Sequence, residues 1–226
     1  MNILGLDTTG NTLSVAVNRD GKLVSEVYID NGLKHSTTLM SAVQSALEAA
    51  EIRIGEIDVF AVAAGPGSFT GIRIGVAACA SMAHAGYKKT APVSTLDALM
   101  ENAAGTPGIV CAVMDARRGE VYTAARRQGS DVVEECAMPL ETLVTQVLPV
   151  GEVTFVGDAA YKFREKILEL RPDSLFLPDA FLMQRASSVC VVASRMAREG
   201  RLLEYDGLTP HYLRESQAER LKKSGK

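Results

Sequence analysis

The stretch Gly65-Pro66-Gly67-Ser68-Phe69-Thr70-Gly71-Ile72-Arg73-Ile74-Gly75 is where residue type and spacing first suggest chemistry. An apolar run ends at Ala64, two glycines permit a tight loop, and Ser68 or Thr70 can cap a following helix. Helix N-termini present free N–H groups and favour anions, so a phosphate site is one reading. The other is a strand-to-helix turn packed closely on a neighbour. The sequence leaves both open. It is not a P-loop, because no Gly-Lys-Ser/Thr follows.

Two further segments place polar groups at turns. Asp7, Thr8 and Thr9 follow the first apolar run, and Arg117 and Arg118 follow Asp115. These five residues are candidate nucleotide or phosphate contacts, since paired arginines can hold phosphate bidentately. The alternative at 115–118 is a solvated turn with an Asp–Arg pair. A metal-dependent nuclease needs several carboxylates around its metals, and Asp7 has no evident second and third partners. Lys34-His35-Ser36 opens a helix, but the position four residues after His35 is Leu39, while His84 and His211 are remote. No metal, no cofactor and no catalytic residue is therefore expected. The basic residues Arg214, Arg220, Lys222, Lys223 and Lys226 read as a soluble tail or as a contact to an acidic partner or RNA.

The elements that must position these residues follow from hydrophobic period. Strands are expected at Ile3, Leu4 and Leu6, at Leu13, Val15 and Val17, and at Leu23 to Ile29, joined by the Gly10-Asn11 and Asp20-Gly21 turns. Helical spacing covers 36–52, a buried parallel strand 57–64, a helix about 70–85, and a further strand and helix end near Asn102. Residues 103–108 form a linker. Beyond it the pattern restarts, with strands at 109–115, 120–125, 132–135 and 153–156 and helices at 139–148, 160–170 and 186–199. Asp115 falls on Asp7. A βββαβα unit occurring twice predicts an α/β protein of two tandem ribonuclease-H-like domains, with the mixed sheets flanked by helices found across the actin, Hsp70 and sugar-kinase superfamily. The domains are 1–102 and 109–226. Topology of this kind fixes a fold and not a function.

On the helix at 70–85, Arg73, Ala77, Ser81 and His84 fall on one narrow stripe, and almost everything else is apolar or small. A helix apolar nearly all round must be covered nearly all round, and its own sheet covers one side. Gly71, Gly75 and Cys79 form a shallow ridge that admits close approach of another helix. The cover is either a partner chain or the second domain. For a partner, the expected surface is Leu39, Met40, Val43 and Leu47 on the first helix, with Gly71, Ile74, Gly75, Ala78, Cys79 and Met82 on the second.

Composition narrows the classes. Twenty-four basic and twenty-seven acidic residues among 226 give a net charge of −3, so the chain is not built to grip a nucleic acid unaided. No apolar run approaches membrane-spanning length, and no signal peptide is recognisable at the N-terminus, so a cytoplasmic location is expected. The four cysteines lack any Cys-x-x-Cys spacing and read as reduced, buried thiols.

Five segments together resemble one family. They are Gly5-Leu6-Asp7-Thr8-Thr9, Lys34-His35-Ser36, Gly65 to Gly75, Met114-Asp115-Ala116-Arg117-Arg118-Gly119-Glu120-Val121-Tyr122, and Pro210-His211-Tyr212-Leu213-Arg214. In this order they resemble the bacterial TsaB family, also called YeaZ. The resemblance implies a part in making N6-threonylcarbamoyladenosine at position 37 of tRNAs reading codons that begin with adenine. It implies a non-catalytic scaffold and activator of the paralogous transferase TsaD, joined by the ATPase TsaE, with tRNA reached only through the complex; the expected helix surface, being self-complementary, can also close on a second copy as a homodimer. TsaD carries a His-x-x-x-His metal motif, and Leu39 stands here in place of the second histidine. The alternative within the same superfamily is a small-molecule kinase or ATPase.

Overall fold

The computed structural model describes residues 1–32 and 35–214. Lys34 and the basic tail residues Arg220, Lys222, Lys223 and Lys226 lie outside the described residues. The first sheet contains β1 (Asn2–Asp7), β2 (Leu13–Arg19), β3 (Lys22–Ile29), β4 (Val59–Gly65) and β5 (Lys89–Ser94) in the order β3-β2-β1-β4-β5. The hairpin strands pair antiparallel, while β1, β4 and β5 run parallel. The second sheet repeats this arrangement with β6 (Ile109–Asp115), β7 (Glu120–Arg127), β8 (Ser130–Pro139), β9 (Val153–Val156) and β10 (Leu175–Phe176), in the order β10-β9-β6-β7-β8. The duplication expected from the sequence is therefore present strand for strand.

On the first sheet, α1 (His35–Ala50) and α2 (Phe69–Gly86) cover one face. Leu39, Val43 and Leu47 recur at helical spacing on α1, and with Ile72, Val76 and Cys79 of α2 they close a core over Leu4, Leu6 and Val62. On the second sheet, β8 is longer than the 132–135 strand expected. The expected helix at 139–148 is a short α-turn, α4 (Leu140–Thr142), continued by a π-turn over Leu143–Val147. The expected 160–170 helix breaks at Phe163 into α5 (Asp158–Lys162) and α6 (Arg164–Leu170).

Two helices cross between the halves. α3 (Thr95–Glu101), following the last strand of the first sheet, packs on β6 and β7 of the second. A short turn, α7 (Asp179–Leu182), leads into α8 (Ala186–Arg198), which packs on β1, β2, β4 and β5 of the first sheet. The expected second domain, 109–226, thus gives its longest helix to the first. The physical reason is visible at the helix start. Ala186 N donates to Ser14 Oγ at 3.0 Å and Ser187 N donates to Glu26 Oε1 at 3.0 Å. Side chains of β2 and β3 thereby satisfy N–H groups that a helix terminus leaves open. Arg185 Nη2 pairs with Glu26 Oε2 at 2.6 Å. Burial alone would raise the Glu26 carboxyl, but the bonds from Ser187 and Arg185 outweigh it and hold it below the usual carboxylate range. Farther along, α8 crosses β1 at Gly5, where a Cβ would lie 2.6 Å from Cys190 Sγ.

Cys79, Cys111 and Cys190 are buried free thiols, whereas Cys136 is only half-buried. Burial pushes the Cys111 thiol up to about 12. Among the described residues, no helix is long and apolar enough to cross a membrane.

Candidate functional site

The β4–α2 junction resolves the first ambiguity. Ser68 caps α2, its Oγ accepting from Gly71 N at 3.3 Å. Ser68 N donates to Thr9 O at 2.7 Å, and Thr8 Oγ1 donates to Gly71 O at 2.7 Å. A Cβ at Gly67 would lie 2.5 Å from Thr9 O, and one at Gly75 2.5 Å from Thr8 Oγ1. At Gly71 it would collide with the Thr8 carbonyl oxygen. The glycines therefore admit the backbone after β1, and the loop is a close-packing turn. Asp7, Thr8 and Thr9 are at most 1 % exposed. As phosphate contacts these three are corrected: their polar atoms face the protein interior.

The turn after β1 is closed by Asp7, Thr9 and His35, which the sequence marks, and by Gln184, which it does not. Asp7 Oδ1 accepts from Thr9 N at 2.9 Å and from Thr9 Oγ1 at 2.7 Å. A Cβ at Gly10 would lie 2.7 Å from Gln184 Oε1, so the Gln184 side chain lies against the turn. His35 Nε2 is 2.9 Å from Gly10 O. A carbonyl can only accept, so this nitrogen donates. Asp7 Oδ2, His35 Nδ1 and both polar atoms of Gln184 are buried with no hydrogen-bond partner among the described residues. No period or motif marks Gln184 in the sequence, since it stands in irregular chain ahead of α8.

Burial pushes the Asp7 carboxyl up to about 6, against the pull of the Thr9 bonds. An acid whose folded value lies above its unfolded one, about 3.9, holds its proton better when folded. Its contribution to stability is thus whole below about pH 4 and is lost as pH rises through 6. Asp7→Asn keeps an acceptor for Thr9 and removes the charge. It should stabilise the protein at pH 7.5 by roughly 2–3 kcal/mol, several degrees in melting temperature, and leave it unchanged at pH 4. Thermal melts of both proteins at the two pH values check this. Asp158 is likewise pushed up to about 6 by desolvation, so the difference between the two proteins is the diagnostic quantity.

The second hairpin repeats the first up to its turn. Asp115 Oδ1 accepts from Arg117 N at 2.8 Å, as Asp7 does from Thr9. Here the second carboxylate oxygen meets Lys162 Nζ at 2.6 Å. Arg117 (φ 66°), Arg118 (φ 57°) and Gly119 (φ 77°) all take left-handed backbone, which turns both exposed arginines outward. Among the described residues, no group of three His, Cys, Asp or Glu is placed to hold a metal ion.

The expected partner surface divides. Leu39, Val43 and Leu47 of α1 and Gly71, Gly75, Cys79 and Met82 of α2 are buried within the chain. The Gly71–Gly75–Cys79 ridge faces the chain's own first sheet, against Thr8 and Val62, which corrects its assignment to a partner. Met40 is 54 % exposed, and Ile74 and Ala78 are partly so. Beside them Arg73, Ala77, Ser81 and His84 form the exposed stripe that the sequence marks. Met40, Val43, Leu47, Ile52 and Ile54 line an open apolar groove of about 650 Å³, with Glu48 and Glu51 at its margin.

The profile of the family described as "TsaD: tRNA N6-adenosine threonylcarbamoyltransferase" matches residues 31–222. The chain is 28% identical over 224 residues to the tRNA threonylcarbamoyladenosine biosynthesis protein TsaB of Bacillus subtilis, covering 97% of this chain and 96% of that one. It is 29% identical over 231 residues to the protein of the same name from Escherichia coli, covering 96% of each. Among solved structures, YeaZ from Pseudomonas aeruginosa superposes with a TM-score of 0.79 at 26% identity, over 94% of this chain and 99% of that one.

Proposed function

We propose that this chain, which belongs to the TsaD family and within it to the TsaB (YeaZ) group, is a non-catalytic partner that binds TsaD and activates it. The chain takes part in the biosynthesis of tRNA threonylcarbamoyladenosine. The finer role rests on one observation. The outward face of α2 offers the small residues Ala77 and Ser81, flanked by the partly exposed Ile74 and Ala78, with Arg73 at its start. Small residues in a row let a second pair of helices approach closely, and the apolar neighbours reward that approach with burial. The same face serves a homodimer that TsaD displaces. TsaE joins the TsaD-bound form, tRNA is reached only through the complex, and the assembly is cytoplasmic. Arg117 and Arg118 stand as the exposed contacts for a phosphate or an acidic group of the partner.

A kinase or ATPase reading needs the first hairpin to admit a phosphate. Gln184 lies against Gly10 of that hairpin, and Asp7 is buried beneath it. The arrangement favours the accessory role.

Reconstitution tests the proposal. With threonylcarbamoyl-adenylate, tRNA, TsaD and TsaE supplied, modified nucleoside should accumulate only when this chain is present. With this chain and no TsaD, none should form. Robust modification in that second mixture, or TsaD turnover indifferent to the chain, would overturn the role.

A further inference from the structure

The segment Pro210-His211-Tyr212-Leu213-Arg214 is singled out by the sequence, yet the proposed function gives it no task. It runs between the two sheets and is anchored on both. At the first sheet His211 N donates to Ala64 O at 2.7 Å, at the carboxyl end of β4. The His211 carbonyl occupies the space that a Cβ on Gly65 would need, and Gly65 has φ +123°. Tyr212 stacks on Phe69 at 4.6 Å between ring centroids, and Tyr212 Oη accepts from Arg73 Nε at 3.1 Å. The Arg73 guanidinium lies 3.9 Å from the Phe69 centroid, so both side chains that meet Tyr212 also hold each other.

At the second sheet, Leu213 packs on the cluster of Leu96, Leu99 and Met114, where α3 meets β6. Arg214 donates to Ala116 O at 3.3 Å, just past the carboxyl end of β6, and pairs with the Glu120 carboxylate at the start of β7. His211 Nε2 lies 3.4 Å from Glu135 Oε2 of β8, and Glu135 also takes the hydroxyl of Ser94 at the end of β5. Every anchor is at or near a carboxyl end of the inner strands or on an element beside one. Open α/β sheets bind their ligands in the crevice outside those ends. Here a piece of the chain itself lies across it.

We propose that residues 210–214 form a strap that ties the glycine loop of the first lobe to the Asp115–Glu120 hairpin of the second and so helps fix the angle between the lobes. Helices α3 and α8 already cross between the lobes, and the strap adds a further tie at the carboxyl ends of the inner strands. A strap fixed at both ends couples them, so loosening one end loosens the other. That coupling separates a strap from an ordinary packed tail.

The test is hydrogen–deuterium exchange read by mass spectrometry on the full chain. Tyr212→Ala removes the first-lobe anchor, and Arg214→Ala the second. Tyr212→Ala should quicken exchange about tenfold in peptides covering 115–120, which Tyr212 does not touch. Arg214→Ala should do the same in peptides covering 64–72, which hold the other anchor. Tyr212→Phe keeps the stacking and loses only the Arg73 bond, and Arg214→Lys keeps the charge. These gentler variants should show the same cross-lobe effects at smaller size, and they carry the test if either alanine variant fails to fold. Changes confined to the altered end in every folded variant would overturn the proposal.

Discussion

Gly71→Ala should destabilise the protein by about 4 kcal/mol or more, although glycine-to-alanine inside a helix ordinarily stabilises by nearly 1 kcal/mol. The reversal comes from geometry. The added Cβ would collide with the Thr8 carbonyl oxygen, a backbone atom held by the Ser68–Thr9 and Thr8–Gly71 bonds on either side. Nothing flexible stands there to move. Domains carry only about 5–15 kcal/mol in total, so much of the stability goes with one methyl group. Gly55→Ala is the control, because a Cβ there meets nothing within 4 Å. Thermal or urea melts of both should separate widely. If Gly71→Ala melts with Gly55→Ala, the turn after β1 yields and the close-packing account of the loop is wrong.

Ala77→Arg should leave the fold intact and weaken binding to TsaD by two to three orders of magnitude. Ala77 is exposed on the outer stripe of α2, so the longer side chain has room in the free chain. Between two docked helices it would hold them apart and strand a charge among apolar groups, at roughly 3–5 kcal/mol. Each 1.4 kcal/mol is about tenfold in affinity. Calorimetric titration against TsaD, with circular dichroism as the folding control, reads both quantities. A folded Ala77→Arg protein that binds as the parent does would move the interface off α2. Gly75→Arg cannot make this distinction, because Gly75 faces Thr8 and Val62 and the variant would break the chain's own core.

The contrast between Gly75 and Ala77 shows where the sequence stops informing. The period of apolar residues on α2 marks Arg73, Ala77, Ser81 and His84 as one face, and that face is exposed. With the rest of the helix apolar or small, periodicity carries no sign that the glycine ridge meets the sheet and Ile74 and Ala78 face out. The doubled βββαβα order was legible because strands ending in Asp7 and Asp115 repeat with their turns, down to the shared bond from carboxylate to the second following N–H. The destination of α8 was not. Its amphipathic stripe fits either sheet, and the choice is made by Ser14 and Glu26, polar residues 172 and 161 positions away that read as ordinary strand surface. Gln184 escaped for a similar reason, since a residue in irregular chain matters through the turn it lies on.

The crossing of α8 also orders events during synthesis. Ile3, Ala16, Val59 and Ala61 lie beneath that helix, so one side of the earliest strands has no cover until residues 186–198 have left the ribosome. At about 5–20 residues per second, the wait from the end of β5 is roughly five to twenty seconds. For that interval the nascent chain shows a bare apolar sheet face with an open β3 edge, the kind of surface that chaperones capture and that sticks to its own kind. A chain released before residue 186 would keep that face bare for good.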